Sequence, residues 1–368
     1  MEIERKGLFS FGNLSEREKK NLEIFELIRK KATISRSDIS RTTGINMVSI
    51  SNYVKDYLGK GLILERGFDI SSGGRKPELI ELNTGGNRVI GLEVGPGQIK
   101  LFLTDLAVNV IEKLAAPIEG PDPIENLVKR VLKKANTPQG SIAAIGIGVA
   151  DNDYFSSGSK TEEEFGIDTF MGHPASCAAF AEKRLNPALE DKDLLYIYSD
   201  RGRGVVVGKD AFLGADDDPN DEKQRYLQPW GQRLGMLSIA KKEVARGVGT
   251  KIVDCAKGDV DSITIETVIE AAKADDRVAL DILESAGITL GLRIAYLANL
   301  FHPAFVVFGG EGLEKAKDII SSPIAKMVAR LAFKKVAESI KIIPSTLGED
   351  GVGLGAAALA AREVFLKA

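Results

Sequence analysis

The sequence predicts a mixed α/β chain in two parts, a small helical head closed by two strands and a larger body of two successive α/β lobes. Three observations predict it. Helix-period apolar residues and capping residues crowd the first eighty positions. From Arg88 onward strand patterns alternate with helical ones. Within that body, strand hairpins followed by helices occur twice, as in a duplicated lobe. A length of 368 residues fits this plan, being too long for one ordinary core and enough for two or three domains.

The composition narrows the setting. Hydrophobic residues make up 44% and charged residues 27%, values ordinary for a globular chain. No apolar run reaches the roughly 18 residues that a membrane span needs, and the opening MEIERKGLFSFGN is charged where a signal peptide would be apolar. Two cysteines, Cys177 and Cys255, supply neither a disulfide framework nor a four-thiolate zinc site, so no metal is expected and the expected compartment is the cytoplasm. Charge is uneven: residues 1–83 hold 15 Lys and Arg against 12 Asp and Glu, while the rest hold 34 against 40. A mildly basic head on an acidic body suits a nucleic-acid reader carried by a domain that does not bind nucleic acid.

Within the head, Glu18–Lys31 places Leu22, Phe25, Leu27 and Ile28 near helical spacing. Ser35, with Asp38 three residues on, caps a second short helix that stops at Gly44, a residue suited to the left-handed turn required there. Asn46 caps a third helix, MVSISNYVKDYLGKG, in which Ile50, Val54 and Leu58 face inward. Met47, Ser49, Ser51, Asn52 and Lys55 then fall on or near its outer surface. Leu62–Glu65 and Glu78–Leu82 read as two strands around a Gly-rich connection. Helix, helix, glycine turn, helix and two-stranded wing is the winged helix-turn-helix order. Short polar side chains on the third helix suit major-groove reading. The wing tip, with Gly74, Arg75 and Lys76, combines backbone freedom with two cations for phosphate or minor-groove contact.

In the body, Val89–Val94 and Ile99–Asp105 form a hairpin, Leu127–Ala135 a helix, and Ile142–Val149 a strand. Leu194–Ser199 and Val205–Val207 make a second strand pair. A long helix over Asp276–Asn299, a buried strand at Phe305–Phe308 and an Ala-rich helix at Gly353–Leu366 complete the pattern. The order fits the duplicated lobes of the actin/hexokinase-like, or ribonuclease H-like, architecture.

Four segments carry a family resemblance: GGRKPELIELN (73–83), GLEVGPGQIKLFLTDL (91–106), FHPAFVVFGGE (301–311) and LGEDGVGLGAAALA (347–360). Taken together they resemble the ROK family, which groups repressors, open reading frames and sugar kinases, and they do so over essentially the full length. The N-terminal winged helix is a feature of its repressor branch.

The resemblance also locates where a sugar kinase would keep its machinery. Phosphoryl transfer needs a carboxylate base at the sugar hydroxyl and small-residue turns around the phosphates. The first phosphate turn reads Glu93-Val94-Gly95-Pro96-Gly97-Gln98, where proline removes an N–H donor and Gln98 replaces a threonine. Aligning Ala178-Ala179-Phe180-Ala181-Glu182 with the family pattern puts Pro174 at the position of the catalytic aspartate and His173 at that of a sugar-binding asparagine. The second turn reads Ser199-Asp200-Arg201-Gly202-Arg203-Gly204, with a carboxylate where triphosphate would sit. The sugar-contacting Glu and His and the zinc cysteines of the kinases have no counterpart in Gly214–Lys223.

The expectation is therefore a transcriptional regulator, and specifically a repressor, of carbohydrate or polyol metabolism, with no enzymatic activity and no cofactor. Its expected domains are a winged helix-turn-helix over 1–83, a first lobe over 84–185 completed by 353–368, and a second lobe over 186–352. Its expected partners are a duplex DNA operator and a small sugar, polyol or sugar-phosphate effector, with a homodimer or higher even oligomer matching paired half-sites. DNA contacts are expected from Met47, Ser49, Ser51, Asn52, Lys55, Gly74, Arg75 and Lys76. Effector contacts are expected from Gly95, Asp151, Asp153, His173, Arg201 and Arg203, around the cleft between the lobes. Two rival readings are an active ATP-dependent sugar kinase and a constitutive DNA-binding protein whose body only oligomerises.

Overall fold

The computed structural model describes residues 14–68, 78–95, 97–149, 155–198, 202–207, 210–213, 235–310 and 312–368. They divide into two compact units, one formed by Met1–Ala181 with Val352–Ala368, the other by Glu182–Gly351.

The first unit opens with α1 (Glu16–Lys31), whose Ser15 hydroxyl and Glu18 carboxylate cap each other's backbone amides in a capping box. The two-residue strand β1 (Ile34–Ser35) follows, then α2 (Arg36–Thr43). Ser35 caps α2, and Gly44 ends it at φ +70°, donating its N–H to the Ser40 carbonyl. Asn46 caps α3 (Met47–Gly59). The wing strands β2 (Ile63–Phe68) and β3 (Glu78–Leu82) pair antiparallel, and β1 adds to the other edge of β3. Ile24, Phe25, Ile28, Ile39, Ile50, Val54, Tyr57 and Ile80 bury the centre of this winged helix. Leu58 was expected to face inward, yet Tyr57 takes the buried position and Leu58 is half-buried.

A five-stranded sheet comes next, built from β4 (Arg88–Val94), β5 (Gln98–Asp105), β6 (Val110–Pro117), β7 (Ile142–Val149) and β8 (Thr169–Gly172) in the order β6-β5-β4-β7-β8. Because strand side chains alternate between faces, Ile90, Leu92 and Val94 pack on α4 (Pro123–Lys134), and α5 (Phe155–Phe165) supplies Phe165 to the same core. The opposite face receives α6 (Pro174–Leu185) and the last helix, α13 (Gly351–Leu366). Contact there is close. A Cβ on Gly91 would lie 2.1 Å from the Gly353 carbonyl oxygen, and one on Gly355 would lie 1.9 Å from that of Cys177. Glycine alone permits backbones to approach so closely.

The second unit repeats the plan. Its sheet comprises β9 (Leu194–Tyr198), β10 (Gly202–Val207), β11 (Asp210–Leu213), β12 (Phe305–Gly309) and β13 (Lys341–Pro344), ordered β11-β10-β9-β12-β13. In each sheet the first three strands pair antiparallel and the last two add in parallel. This shared order is the duplicated lobe of the actin/hexokinase-like fold. Leu195, Ile197, Val306 and Phe308 pack under α7 (Met236–Ala245), α8 (Lys251–Cys255), α9 (Ile265–Lys273), α10 (Arg277–Phe301) and α11 (Lys317–Leu331). The short α12 (Lys334–Ser339) leads into β13. Asp276 joins two helix starts: its Oδ1 accepts from the Ala279 amide and Thr250 Oγ1, and its Oδ2 accepts from the Lys251 amide, each at 2.9 Å. The buried Glu182 carboxylate likewise accepts from Ser345, Thr346 and the Leu347 amide.

Candidate nucleic-acid interface and first-lobe residues

The start of α3 is fixed locally. Asn46 Oδ1 accepts from the Ser49 amide at 2.9 Å, holding the first turn open to solvent. Ile50, Val54 and Tyr57 anchor the inner face, so the opposite side of the helix is presented outward. Met47, Ser51, Asn52 and Lys55 are exposed and Ser49 is half-buried, which brings all five residues expected from the sequence onto one short helix. Ser51 Oγ donates to the Met47 carbonyl at 2.8 Å, leaving its oxygen free to accept. Sequence reasoning passed over Val48, which is 73% exposed beside Met47. The signal was present: a residue two before the inward Ile50 lies roughly 200° round the helix. An apolar side chain there suits the thymine methyl group of a major groove. Arg36 ties α2 to the wing strands by ion pairs to Glu65 (2.6 Å) and Glu78 (3.1 Å). Gly74, Arg75 and Lys76 lie outside the described residues.

In the first lobe, Gly95 occupies the β4–β5 turn, where its N–H donates to the Gln98 carbonyl at 3.0 Å. Just before it, Glu93 faces Lys100 at 3.5 Å. Pro174 is the first residue of α6, a position where the missing N–H costs nothing. His173 precedes it and caps the helix. Its Nδ1 accepts from the Ala175 amide at 3.2 Å and its carbonyl accepts from Ser176 and Cys177. An imidazole accepting at Nδ1 carries its proton on Nε2 in the neutral form. Burial, and after it the charge of Glu93, pushes the Cys177 thiol well above the ordinary range. Asp151, Asp153 and Arg201 lie outside the described residues, as do Pro96, Ser199 and Asp200. Arg203 lies on β10, where only the backbone is described. Among the described residues no group of three or more His, Cys, Asp or Glu is placed to hold a metal ion, and no helix is long and apolar enough to cross a membrane.

The ROK family profile matches residues 246–363. The chain carries a ROK family domain. The matched ROK segment runs from α8 through most of α13, so it includes the long α10, the β12 strand and the glycine-bearing face of the last helix. Curated relatives extend the similarity over the head as well. The chain is 27% identical over 393 residues to the xylose repressor of Caldicellulosiruptor bescii, covering 94% of this chain and 96% of the relative. It is 24% identical over 380 residues to the DNA-binding transcriptional dual regulator NagC of Escherichia coli, covering 93% and 92%. Among solved structures, a ROK family transcriptional regulator homologous to the E. coli MLC protein superposes with a TM-score of 0.73 at 20% identity, over 95% of this chain and 97% of the other. A ROK family glucokinase from Streptomyces griseus matches 74% of this chain and 99% of its own, with a TM-score of 0.59 and 21% identity. These two establish the fold.

Proposed function

We propose that this protein is a sugar-responsive transcriptional repressor that binds an operator through its head and an effector through its body. The observation that carries the reading is the outward face of α3, where exposed Met47, Val48, Ser51, Asn52 and Lys55 stand on a winged helix joined to a ROK body. Relatives named as repressors, matched over nearly their whole lengths, support it. In this reading residues 1–83 are the DNA-binding domain, with Gly74, Arg75 and Lys76 contacting backbone or minor groove. Paired half-sites then call for an even number of copies.

The body acts without phosphoryl transfer. Pro174 stands where the sugar kinases keep their base and cannot accept a proton, and His173 uses Nδ1 to cap α6. The first lobe contributes Gly95, Asp151, Asp153 and His173 to binding a small sugar, polyol or sugar phosphate. To release DNA, the effector must bind the DNA-competent and DNA-free states unequally.

The test combines footprinting with ligand titration on the full chain. A protected, two-fold symmetric site, weakened by replacing Arg75 and Lys76 with alanine, is expected, together with release of that site by one class of sugar. Absence of any protected site, or sugar-dependent ADP release at roughly 1–100 per second, overturns the reading.

A further inference from the structure

The long helix α10 carries an outward ridge at every fourth residue: Glu284, Ile288, Leu292, Tyr296 and Leu300. Glu284 and Ile288 are exposed, Leu292 is half-buried, and Tyr296 and Leu300 are exposed, the last by 61%. From Ile288 to Leu300 the ridge is apolar for roughly 18 Å at 1.5 Å per residue. Leu331 and Phe333 widen it beside the helix end. Asn299 fixes them there, its Nδ2 donating to the Leu331 carbonyl at 3.3 Å and its Oδ1 accepting from the Phe333 amide at 2.8 Å. Phe333 is nonetheless 69% exposed. Among the described residues no element covers this face, and large aromatic and aliphatic side chains held in place yet left to solvent mark a contact surface.

We propose that this face of α10 is where a second copy of the chain docks, with the two helices antiparallel about a two-fold axis near Leu292 and Tyr296. Its charges argue for that occupant. A two-fold interface must be complementary to itself. The ridge begins acidic, at Asp281 and Glu284, and ends beside the basic start of α12, at Lys334 and Lys335, all of them exposed. His302 and Ser339, in contact at 3.1 Å, hold α12 alongside the end of α10. Rotation about the proposed axis sets Ile288 opposite Leu300 and carries the acidic start of each helix to the basic end of the other. An apolar centre with opposite charges at its two ends therefore matches a copy of itself. An i, i+4 ridge is also the feature by which helices interlock.

Sedimentation equilibrium of the full chain without DNA tests this, and it reads mass alone, so its outcome is independent of operator binding. Wild type should be dimeric at micromolar concentration. Leu300→Glu, with circular dichroism to confirm folding, should weaken the dimer at least about 100-fold by placing a charge in the apolar centre. Glu284→Lys alone, and Lys334→Glu with Lys335→Glu, should each weaken it about 10-fold, whereas the three together should return to within about threefold of wild type. A monomeric wild type, a dimer indifferent to Leu300→Glu, or charge reversals that fail to rescue one another would each overturn the proposal.

Discussion

Phe25 of the first helix and Phe365 of the last stack face to face, their ring centroids 4.0 Å apart and their planes within 16°. Tyr57 closes the cluster edge-on to Phe365 at 5.4 Å. Asn21 stitches its polar rim, accepting from the Tyr57 hydroxyl at 2.8 Å and donating to the Leu366 carbonyl at 3.3 Å. Arg17 and Lys60 add donors to the main-chain oxygen of Ala368, at 3.2 and 3.1 Å, where cations favour a helix C-terminus. The head thus shares its core with α13, and through the close approaches at Gly353 and Gly355 α13 is locked to the first sheet and α6.

Phe365→Ala should therefore loosen the head although residue 365 lies in the body. Removing a fully buried aromatic ring costs roughly 3–5 kcal/mol. Urea unfolding should show the loss, and amide hydrogen exchange should rise in α1 and α3 more than in the second unit. Unchanged protection in α1 would contradict the shared core.

Two glycine substitutions should move stability in opposite directions. In Gly355→Ala the new methyl meets the Cys177 carbonyl backbone, which cannot swing aside, so a loss of about 3 kcal/mol or more is expected. Gly59, at the end of α3, has nothing within 4 Å of a built Cβ, and Gly59→Ala should gain about 0.5–1 kcal/mol from helix propensity. Urea midpoints of the two variants decide.

Asp276→Ala should cost about 1–3 kcal/mol at neutral pH, because it strips the cap from α10 and orphans the Lys251 amide. Burial works against ionisation of this carboxyl, but donors from Ala279, Lys251 and Thr250 outweigh it and hold its pKa below the ordinary value. A lowered carboxylate pKa adds stability above the unfolded value and gives it up as pH falls through the folded one. The gap between wild type and variant should thus be complete at pH 7 and shrink below about pH 4. A gap that stays constant from pH 7 to pH 3 would show that the carboxylate's charge is irrelevant.

On α3, variants should separate base reading from backbone attraction. Asn52→Ala and Val48→Ala should each relax preference at one base pair, by about 1–3 kcal/mol for a lost bidentate contact and less for a lost methyl contact. Lys55→Ala should weaken all sequences alike and lower the salt slope by about one. Affinities for a panel of duplexes at several salt concentrations distinguish these patterns.

Much of the head was legible because its signals are local. Ser35, Gly44 and Asn46 act within three or four residues of where they stand, and each takes the capping role read from the sequence. What escaped is set by distant partners. Tyr57 displaces Leu58 from the core because Phe365, 308 residues away, supplies the surface it packs on. The two-residue β1 exists only by pairing with β3, and β6 carries the alternating Glu112 and Lys113 of an exposed edge, a weak strand signal. In the body, Pro174 gave up the kinase base to sequence comparison alone, whereas the capping role of His173 needed the position of the Ala175 amide.

The shared core also imposes an order on biosynthesis. A ribosome makes α1 through α3 first, yet the ring that completes their packing arrives more than three hundred residues later, with α13. Until then the nascent head keeps Phe25 and Tyr57 without their partner. A fully packed head, in consequence, forms only after the chain has been translated through α13, and products of premature termination lack it.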